Sequence, residues 1–562
     1  MPTSTNTELR EQSFSLNRLA SSISEVFRLL GMMGTTATGA TPLSIPDKTH
    51  RTRLVVVAAS LGTVFEWYDF YLYGSLAVFF SILFFPPGND AAAFLASLAT
   101  FGAGFAVRPL GALVFGALGD RIGRKRSFLI TMVIMGLSTV AVGLLPTYAQ
   151  VGVWAPIVLV SMRLAQGLAV GGEYGGAATY VAEHAPPGRR GYATSWLQTT
   201  ATVGFLLSLL VILGCRAAVG DEAFKAWGWR IPFLTSIVLL AVSVFIRLKL
   251  EESPIFERMK SEGRTSKSPI KESFGGWTNL KGVLITLFGI TTGMTVIWYT
   301  AQFYALFFIQ SAMQVDYKAS YTIFAIGLTI GTPLIVLFGA LSDRIGRKPI
   351  MVTGLLLGAL TLIPAFHALA NFTNPGLSAF AERNAVEISA DNCSFSLFAK
   401  PVSDCDKARS FFSRNGLSYV SKPASSGGIV TMIGEKQLTR YNETAYKKAL
   451  EELGFRAAAN NVNYVGAIAI VVWMIALVGM VYGPLAAFLV EMFPAKIRAT
   501  SLSLPYHLGV GVLGGFLPFA ASALVIYYGN VFAGLWYPVV IAATTAIVGL
   551  IFLPETKDRA ID

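Results

Sequence analysis

Residues 116–128 read GALGDRIGRKRSF and residues 339–351 read GALSDRIGRKPIM. One basic motif standing in each half of a 562-residue chain marks an internal duplication. A looser pair follows: EHAPPGRRGYATS from Glu183 and EMFPAKIRATSLS from Glu491. The landmarks are not evenly spaced. Asp120 to Glu183 is 63 residues and Asp343 to Glu491 is 148, so the second half carries 148 − 63 = 85 residues that the first lacks.

Around these landmarks the chain is apolar. Hydrophobic residues make up 54% and charged residues 14%, where a soluble domain carries about a quarter charged. Twelve apolar runs are long enough to cross about 30 Å of hydrocarbon. They are 54–84, 91–118, 127–147, 152–182, 193–215, 231–248, 282–310, 321–341, 350–370, 462–490, 500–528 and 531–553, taken below as spans one to twelve. The expected class is an all-α membrane protein with twelve transmembrane helices. Three cysteines are too few for a disulfide scaffold or a four-ligand zinc site, and the four histidines show no metal spacing.

The net charge of +12 would first suggest nucleic acid. Its placement argues for topology instead. The loops 119–126, 183–192, 247–281, 341–349 and 491–498 hold 19 Lys and Arg, against four in the short loops on the other side (Arg216, Lys225, Arg230, Lys318). The basic side is therefore expected to be cytoplasmic, with both termini on it. The order is a tail 1–52, a first half 53–250, a polar linker 251–281, and a second half 282–371 and 462–553 around an insertion 372–461. A tail 554–562 closes it. Residues 1–52 show no signal-peptide pattern. Leu16, Leu19, Ile23, Val26, Phe27 and Leu30 fit a surface amphipathic helix or an unstructured tail.

The insertion accounts for the excess length. DCDKARSFFSRNGLSY and ETAYKKALEELGF within it read as helices and GGIVTMIG as a strand. A small extracytoplasmic α/β domain between helices nine and ten is expected, because structureless loops of that length are uncommon. Cys393 and Cys405 lie inside it, and a disulfide is expected over two free thiols. Cys215 reads as ordinary packing.

The duplicated G-x-L-x-D-R-x-G-R-K resembles the signature loop of the major facilitator superfamily. EWYDFYLYG, RPLGALVFGALGDRIGRK and RLAQGLAVGGEYGGAATYVAEHAPPGRRGY are similar, more narrowly, to its metabolite:proton symporter family, which carries ketoglutarate, shikimate, citrate, proline and betaine. The resemblance covers roughly 53–371 and 462–553; the insertion and the tails depart from it. It implies two six-helix bundles with a solute site between them and alternating access by rocking.

Five fixed charges fall inside the spans: Glu66, Asp69, Arg108, Arg163 and Glu173, all in the first half. Charges at such depth are expected to face the bundle interior and to pair. Glu66 and Asp69 are one turn apart and share a face. Depth along the helices pairs Asp69 with Arg163, with Glu66 nearby, and Arg108 with Glu173. The alternative is that each pair is static and sets packing. Three acids against two bases leave one negative charge that a proton would cancel. An opposing guanidinium favours a carboxylate and burial disfavours it, and opening the pocket changes both. Asp69 is the first candidate for proton carrier and Glu66 the second. The resemblance to sugar porters, which place an acid in span one against an arginine in span four, points the same way. No cofactor is expected beyond the proton as coupling ion.

Arg108 or Arg163 could hold a substrate carboxylate bidentately. If substrate competed with Asp69 for Arg163, its arrival would free Asp69 to take a proton. Further candidate contacts are Tyr71, Gln198, Trp298, Tyr299, Gln302 and Tyr482; packing is the competing reading for these aromatics. His507 reads as a packed histidine. Gly167, Gly171 and Gly175 recur every four residues, as a sliding surface or as static packing.

The basic loops have a mechanical reading. Asp120, Arg121, Gly123 and Arg124, with Asp343, Arg344, Gly346 and Arg347, would lock the cytoplasmic face through Glu183 and Glu491. The expected function is proton-coupled import of a small organic acid by a monomer. A zwitterion such as proline or betaine is one alternative, and a nutrient receptor using the insertion is another. No nucleophile–base pair, nucleotide loop or metal cluster speaks for an enzyme.

Overall fold

The computed structural model describes residues 48–122, 124–248, 261–262, 269–391, 393, 402–423, 428–456, 459 and 461–561. The amphipathic reading of residues 16–30, most of the linker and Gly123 lie outside them. So do the side chains of Asp120, Arg121 and Arg124.

Among the described residues ten helices are long and apolar enough to cross a membrane, from Asp90–Phe115 to Ala533–Phe552. A bent pair and the shorter apolar helix Leu129–Leu144 complete the twelve-span order. The bent pair is span one, whose two helices, ending at Ser75 and resuming over Ala77–Phe84, meet at 61°. At the break, the Ser75 carbonyl accepts a hydrogen bond from the Tyr321 hydroxyl of span eight at 2.5 Å. Span two breaks at Val107 and resumes as Arg108–Ile122. Span four breaks after Gly171 and resumes over Tyr174–His184. Spans seven and eleven carry π-helical turns at Leu287–Thr291, Thr300–Tyr304, Phe308–Ala312 and Gly509–Gly514. Such turns collect at functional sites. Each half packs its spans together, and the halves meet chiefly where span five meets eight and span two meets eleven.

The span-four glycines serve contact within one half. A side chain at Gly167 would strike the Gly104 carbonyl, and one at Gly171 the Arg108 carbonyl. Backbones of spans two and four thus touch directly, which only glycine permits. These two positions are packing, not a sliding surface. Close inter-half approach occurs instead where Gly191 of span five meets Gly339 of span eight.

The insertion folds as a four-stranded sheet, β1 (Val386–Ser389), β2 (Val420–Lys422), β3 (Val430–Ile433) and β4 (Lys436–Leu438), ordered β2-β1-β3-β4. Helices Pro375–Arg383, Asp404–Arg414 and Glu443–Glu452 flank it. Alternate burial of β1 and β3 puts Val386, Ile388 and Ile433 inside with Phe411, Phe412 and Tyr446. Cys393 and Cys405 are joined, their Cα atoms 5.2 Å apart; Cys215 is free. The domain is bound to the ends of the second half that lie away from the repeated basic motif. The Tyr419 amide donates to the Gly529 carbonyl at 2.7 Å, and the Gln314 amide side chain donates to the Arg414 carbonyl at 3.0 Å. Arg414 reaches the first half through Asp90 at 3.2 Å.

Gly167→Ala should lower the melting temperature in detergent by several degrees, as overpacking costs about 1–3 kcal/mol. Gly176→Ala, where an added methyl meets nothing within 4 Å, should leave it unchanged. Equal shifts for the two would refute backbone contact at Gly167.

Candidate functional site

A cavity lies between the halves. The first half lines it with Glu66, Trp67, Arg108, Glu173, Tyr174 and Gln198, and the second with Tyr482, Tyr506 and His507. Pro109 has no N–H to give, so the helix restarts at Arg108 and turns that side chain inward. The Arg108 guanidinium lies over three aromatic rings, 4.0 Å from Phe105, 4.4 Å from Phe70 and 5.0 Å from Trp67. It is fully buried, and none of its three nitrogens has a hydrogen-bond partner. A guanidinium offers five N–H donors. Leaving a buried charge without an acceptor costs several kcal/mol.

Arg108 and Glu173 therefore do not pair, contrary to the depth argument. Glu173 stands at the break of span four and accepts from the Thr131 hydroxyl of span three at 2.7 Å. Both residues nevertheless line the cavity.

Asp69 and Arg163 do not pair either. Arg163 donates to the Phe70 carbonyl at 3.2 Å and to the Gln166 carbonyl oxygen at 2.7 Å. The Gln166 amide passes on to the Thr139 hydroxyl at 2.8 Å. The Asp69 carboxyl faces the hydroxyls of Thr139 and Ser236, and its Oδ1 has no partner at hydrogen-bonding distance. Arg163 thus reaches Thr139 through Gln166, but the Thr139 hydroxyl donates to the Met135 carbonyl at 3.0 Å, so among the described residues no hydrogen bond carries the chain on to Asp69. Equal depth does not fix rotation about the helix axis, and neighbouring residues differ by about 100°. Phe70, not Asp69, presents itself to Arg163. Glu66 opens on the cavity, whereas Asp69 is turned toward spans three and six. Arg163 is absent from the cavity lining, so substrate arriving there cannot compete with Asp69 for it.

The span-seven candidates close the cavity rather than line it. Trp298 lies 5.4 Å from Tyr71 and Tyr299 lies 5.1 Å from Phe105, while Phe303 packs 4.9 Å from Phe101. The Gln302 amide donates to the Thr202 hydroxyl at 3.3 Å across the halves. Tyr71 belongs to this plug and stacks on Trp67 at 4.9 Å. Gln198 and Tyr482 do line the cavity and are joined, Gln198 donating to the Tyr482 carbonyl at 3.1 Å. Tyr174 and Tyr506, which the sequence did not single out, stack across the halves at 3.7 Å and 6°. In the sequence each is a tyrosine beside a glycine-rich run of its own span, a pattern too common to stand out. His507 was read as packing but lines the cavity, with neither ring nitrogen at hydrogen-bonding distance from a partner. Among the described residues no cluster of three or more His, Cys, Asp or Glu could hold a metal.

The basic face is tied by ions. Asp343 accepts from the amides of Gly191 and Tyr192, both at 2.8 Å. These are free N–H groups at the start of span five, where the helix dipole favours an anion. Arg347 joins Asp343 at 2.7 Å and Glu491 at 3.1 Å within the second half. Two further pairs cross the halves, Arg498–Glu183 at 3.1 Å and Arg190–Glu491 at 3.7 Å. Arg344 is exposed and takes no part in these pairs. Gly346 supplies the turn between spans eight and nine at φ 108°. Behind Arg347, burial pushes the Glu555 carboxyl up, but four backbone N–H donors outweigh it and hold the group below the usual range.

Residues 54–282 match the family model described as Sugar (and other) transporter. A putative metabolite transport protein of Haemophilus influenzae is 31% identical over 512 residues, spanning 90% of this chain and 94% of that one. The shikimate transporter of Escherichia coli is 38% identical over 325 residues (57% and 73%). A glycine betaine/proline/ectoine/pipecolic acid transporter of Dickeya dadantii is 35% identical over 337 residues (58% and 67%). In fold, the chain is similar to the xylose transporter of Escherichia coli in its partially occluded inward-open form. The TM-score is 0.59 at 18% identity, over 91% of this chain and 99% of that one.

Asp343→Ala removes two charge-assisted hydrogen bonds between the halves, each worth about 1.5–3 kcal/mol. With Cys215 replaced by Ser, a cysteine introduced by Ala177→Cys in the cavity wall should then react at least about tenfold faster with an impermeant maleimide applied to the basic face. An unchanged rate would remove Asp343 from the closure.

Proposed function

Because the chain belongs to the metabolite symporter family of the major facilitator superfamily, we propose that it moves a small carboxylate-bearing metabolite together with a proton. It is a multi-pass membrane protein and a secondary transporter, not an enzyme. The observation that carries the finer reading is the buried, acceptor-free Arg108 guanidinium in the cavity wall. A substrate carboxylate would take two of its parallel donors. Asp69 is the proton's seat in this reading: it is 5% exposed and one of its oxygens is unpartnered. The Lys and Arg bias places the tied, basic face in the cytoplasm and the insertion outside. An inner membrane metabolite transport protein of Escherichia coli, 30% identical over 509 residues, favours a bacterial inner membrane.

Transport then follows from which end is closed. Parting of the aromatic plug around Phe303 and Trp298 opens the cavity outward. Parting of the Tyr174–Tyr506 stack and the Asp343, Glu183 and Glu491 ties opens it inward. The described residues of the insertion bind the ends of the second half away from the basic face and lend the cavity no side chain, which favours a transporter over a receptor. The relatives' solutes include zwitterions, and one observation favours that second reading. Glu66 and Glu173 share the cavity with Arg108 and with the faces of Trp67, Tyr174 and Tyr506, a surround that suits an ammonium group as well.

Purified protein in liposomes under an imposed pH gradient tests both readings, with shikimate, 2-oxoglutarate, proline and glycine betaine as solutes. Gradient-driven uptake of a carboxylate is expected, and Arg108→Lys should raise KM at least about tenfold, the loss of a bidentate charged contact. Asp69→Asn should still exchange solute but no longer concentrate it. An Arg108→Lys variant with unchanged KM would move the substrate site elsewhere, and an Asp69→Asn variant that still concentrates solute would move the proton site.

A further inference from the structure

Two buried guanidinium groups, those of Arg108 and Arg163, lie over one ring, that of Phe70. The Arg108 guanidinium, in the cavity wall, is 4.4 Å from the Phe70 centroid. The Arg163 guanidinium, outside the cavity lining, is 4.1 Å from the same centroid. Arg163 also holds the Phe70 main chain through its carbonyl at 3.2 Å. Phe70 directly follows Asp69 in the chain. It is wholly buried and braced edge-on by Phe105 at 4.3 Å. A single side chain therefore touches both guanidinium groups, and its residue directly follows the acid.

We propose that Phe70 is the positioning residue that couples solute binding at Arg108 to proton exchange at Asp69. The inference rests on the proton-symport reading given above. Its physical basis is competition for one quadrupole. Two cations draw on the same ring, and each is held partly by it. A carboxylate that reaches Arg108 neutralises that cation and draws it into the cavity. The ring then answers to Arg163 alone, and the Phe70 main chain follows, because Arg163 grips its carbonyl. Asp69 moves with that main chain against the groups that face it: Thr139 of span three, Ser236 of span six, and Glu66 a turn away on its own helix. Arg163 also holds Thr139, one of those groups, through Gln166. The hydroxyl and charge surroundings of Asp69 change without substrate ever touching it. This route replaces the direct competition for Arg163 that the sequence suggested.

The test separates coupling from binding and from folding. Full-length wild type, Phe70→Leu and Phe70→Tyr are reconstituted in liposomes. For each, exchange of preloaded solute at equal pH is measured beside accumulation under a pH gradient, across the four solutes named above. Phe70→Leu keeps most of the apolar bulk but lacks the ring. It should exchange solute within about twofold of wild type while its accumulation ratio falls to about one. Phe70→Tyr keeps the ring and should concentrate solute. Accumulation by Phe70→Leu at the wild-type ratio overturns the proposal. So does a parallel loss of exchange and accumulation in Phe70→Leu, which would make Phe70 a packing residue. A Phe70→Tyr variant that exchanges but does not concentrate overturns it too. A wild type that exchanges solute but ignores the gradient, or exchanges none of the four, defeats instead the symport reading on which the inference stands.

Discussion

Arg108 carries a positive charge into an apolar interior and finds only aromatic faces there. Much of the first half is arranged around that fact. Span two breaks just before it, so that the side chain leaves the helix toward the cavity. Gly171 lets span four press against its carbonyl, which fixes the backbone from which it projects. Trp67 and Phe70 from span one, with Phe105 from its own span, replace water as its surround. Cation–π contact returns only part of the hydration a guanidinium loses. The remainder is available to an incoming anion, and selective recognition needs that kind of unmet demand.

The halves repeat in backbone and in motif but not in charge. The first half holds the five buried ionisable groups expected from its sequence. The second supplies Tyr482, Tyr506, His507 and the span-seven aromatics, which meet the cavity or cap it. This division suits a machine in which one lobe holds the ions and the other moves over them. Tyrosine and tryptophan rings can part and re-form contact without stranding a charge. Among the described residues the buried ion ties between the halves stand on the basic face, where water enters as the halves separate and the desolvation cost of breaking them is small.

The insertion belongs to the rim. It has its own sheet, its own apolar core and a disulfide, and it holds the ends of the second half through the Tyr419 amide on the Gly529 carbonyl and the Gln314 side chain on the Arg414 carbonyl. Its one described ion pair to the first half, Arg414–Asp90, is exposed. Exposed pairs are worth little, so the domain can stay with its own half while the other swings.

Much of the architecture was legible in residues alone. Hydrophobic length set the spans, the duplicated motif set the two halves, and the spacing between landmarks located the insertion. These are properties of stretches, and averaging over a stretch makes them robust. The five buried charges were also legible, because an ionisable residue in a twenty-residue apolar run is conspicuous. Their partners were not. Which way Asp69 faces depends on helix rotation and on the breaks at Leu76, Val107 and Gly172, none of which hydropathy records. Only packing turned Arg163 onto Phe70 instead of Asp69 and left Arg108 without an acceptor. Only packing brought Tyr174 against Tyr506 from opposite halves of the chain. Sequence determines what a helix can bury; the neighbouring helices decide which side chain meets which, because a contact requires two surfaces and a single span supplies one.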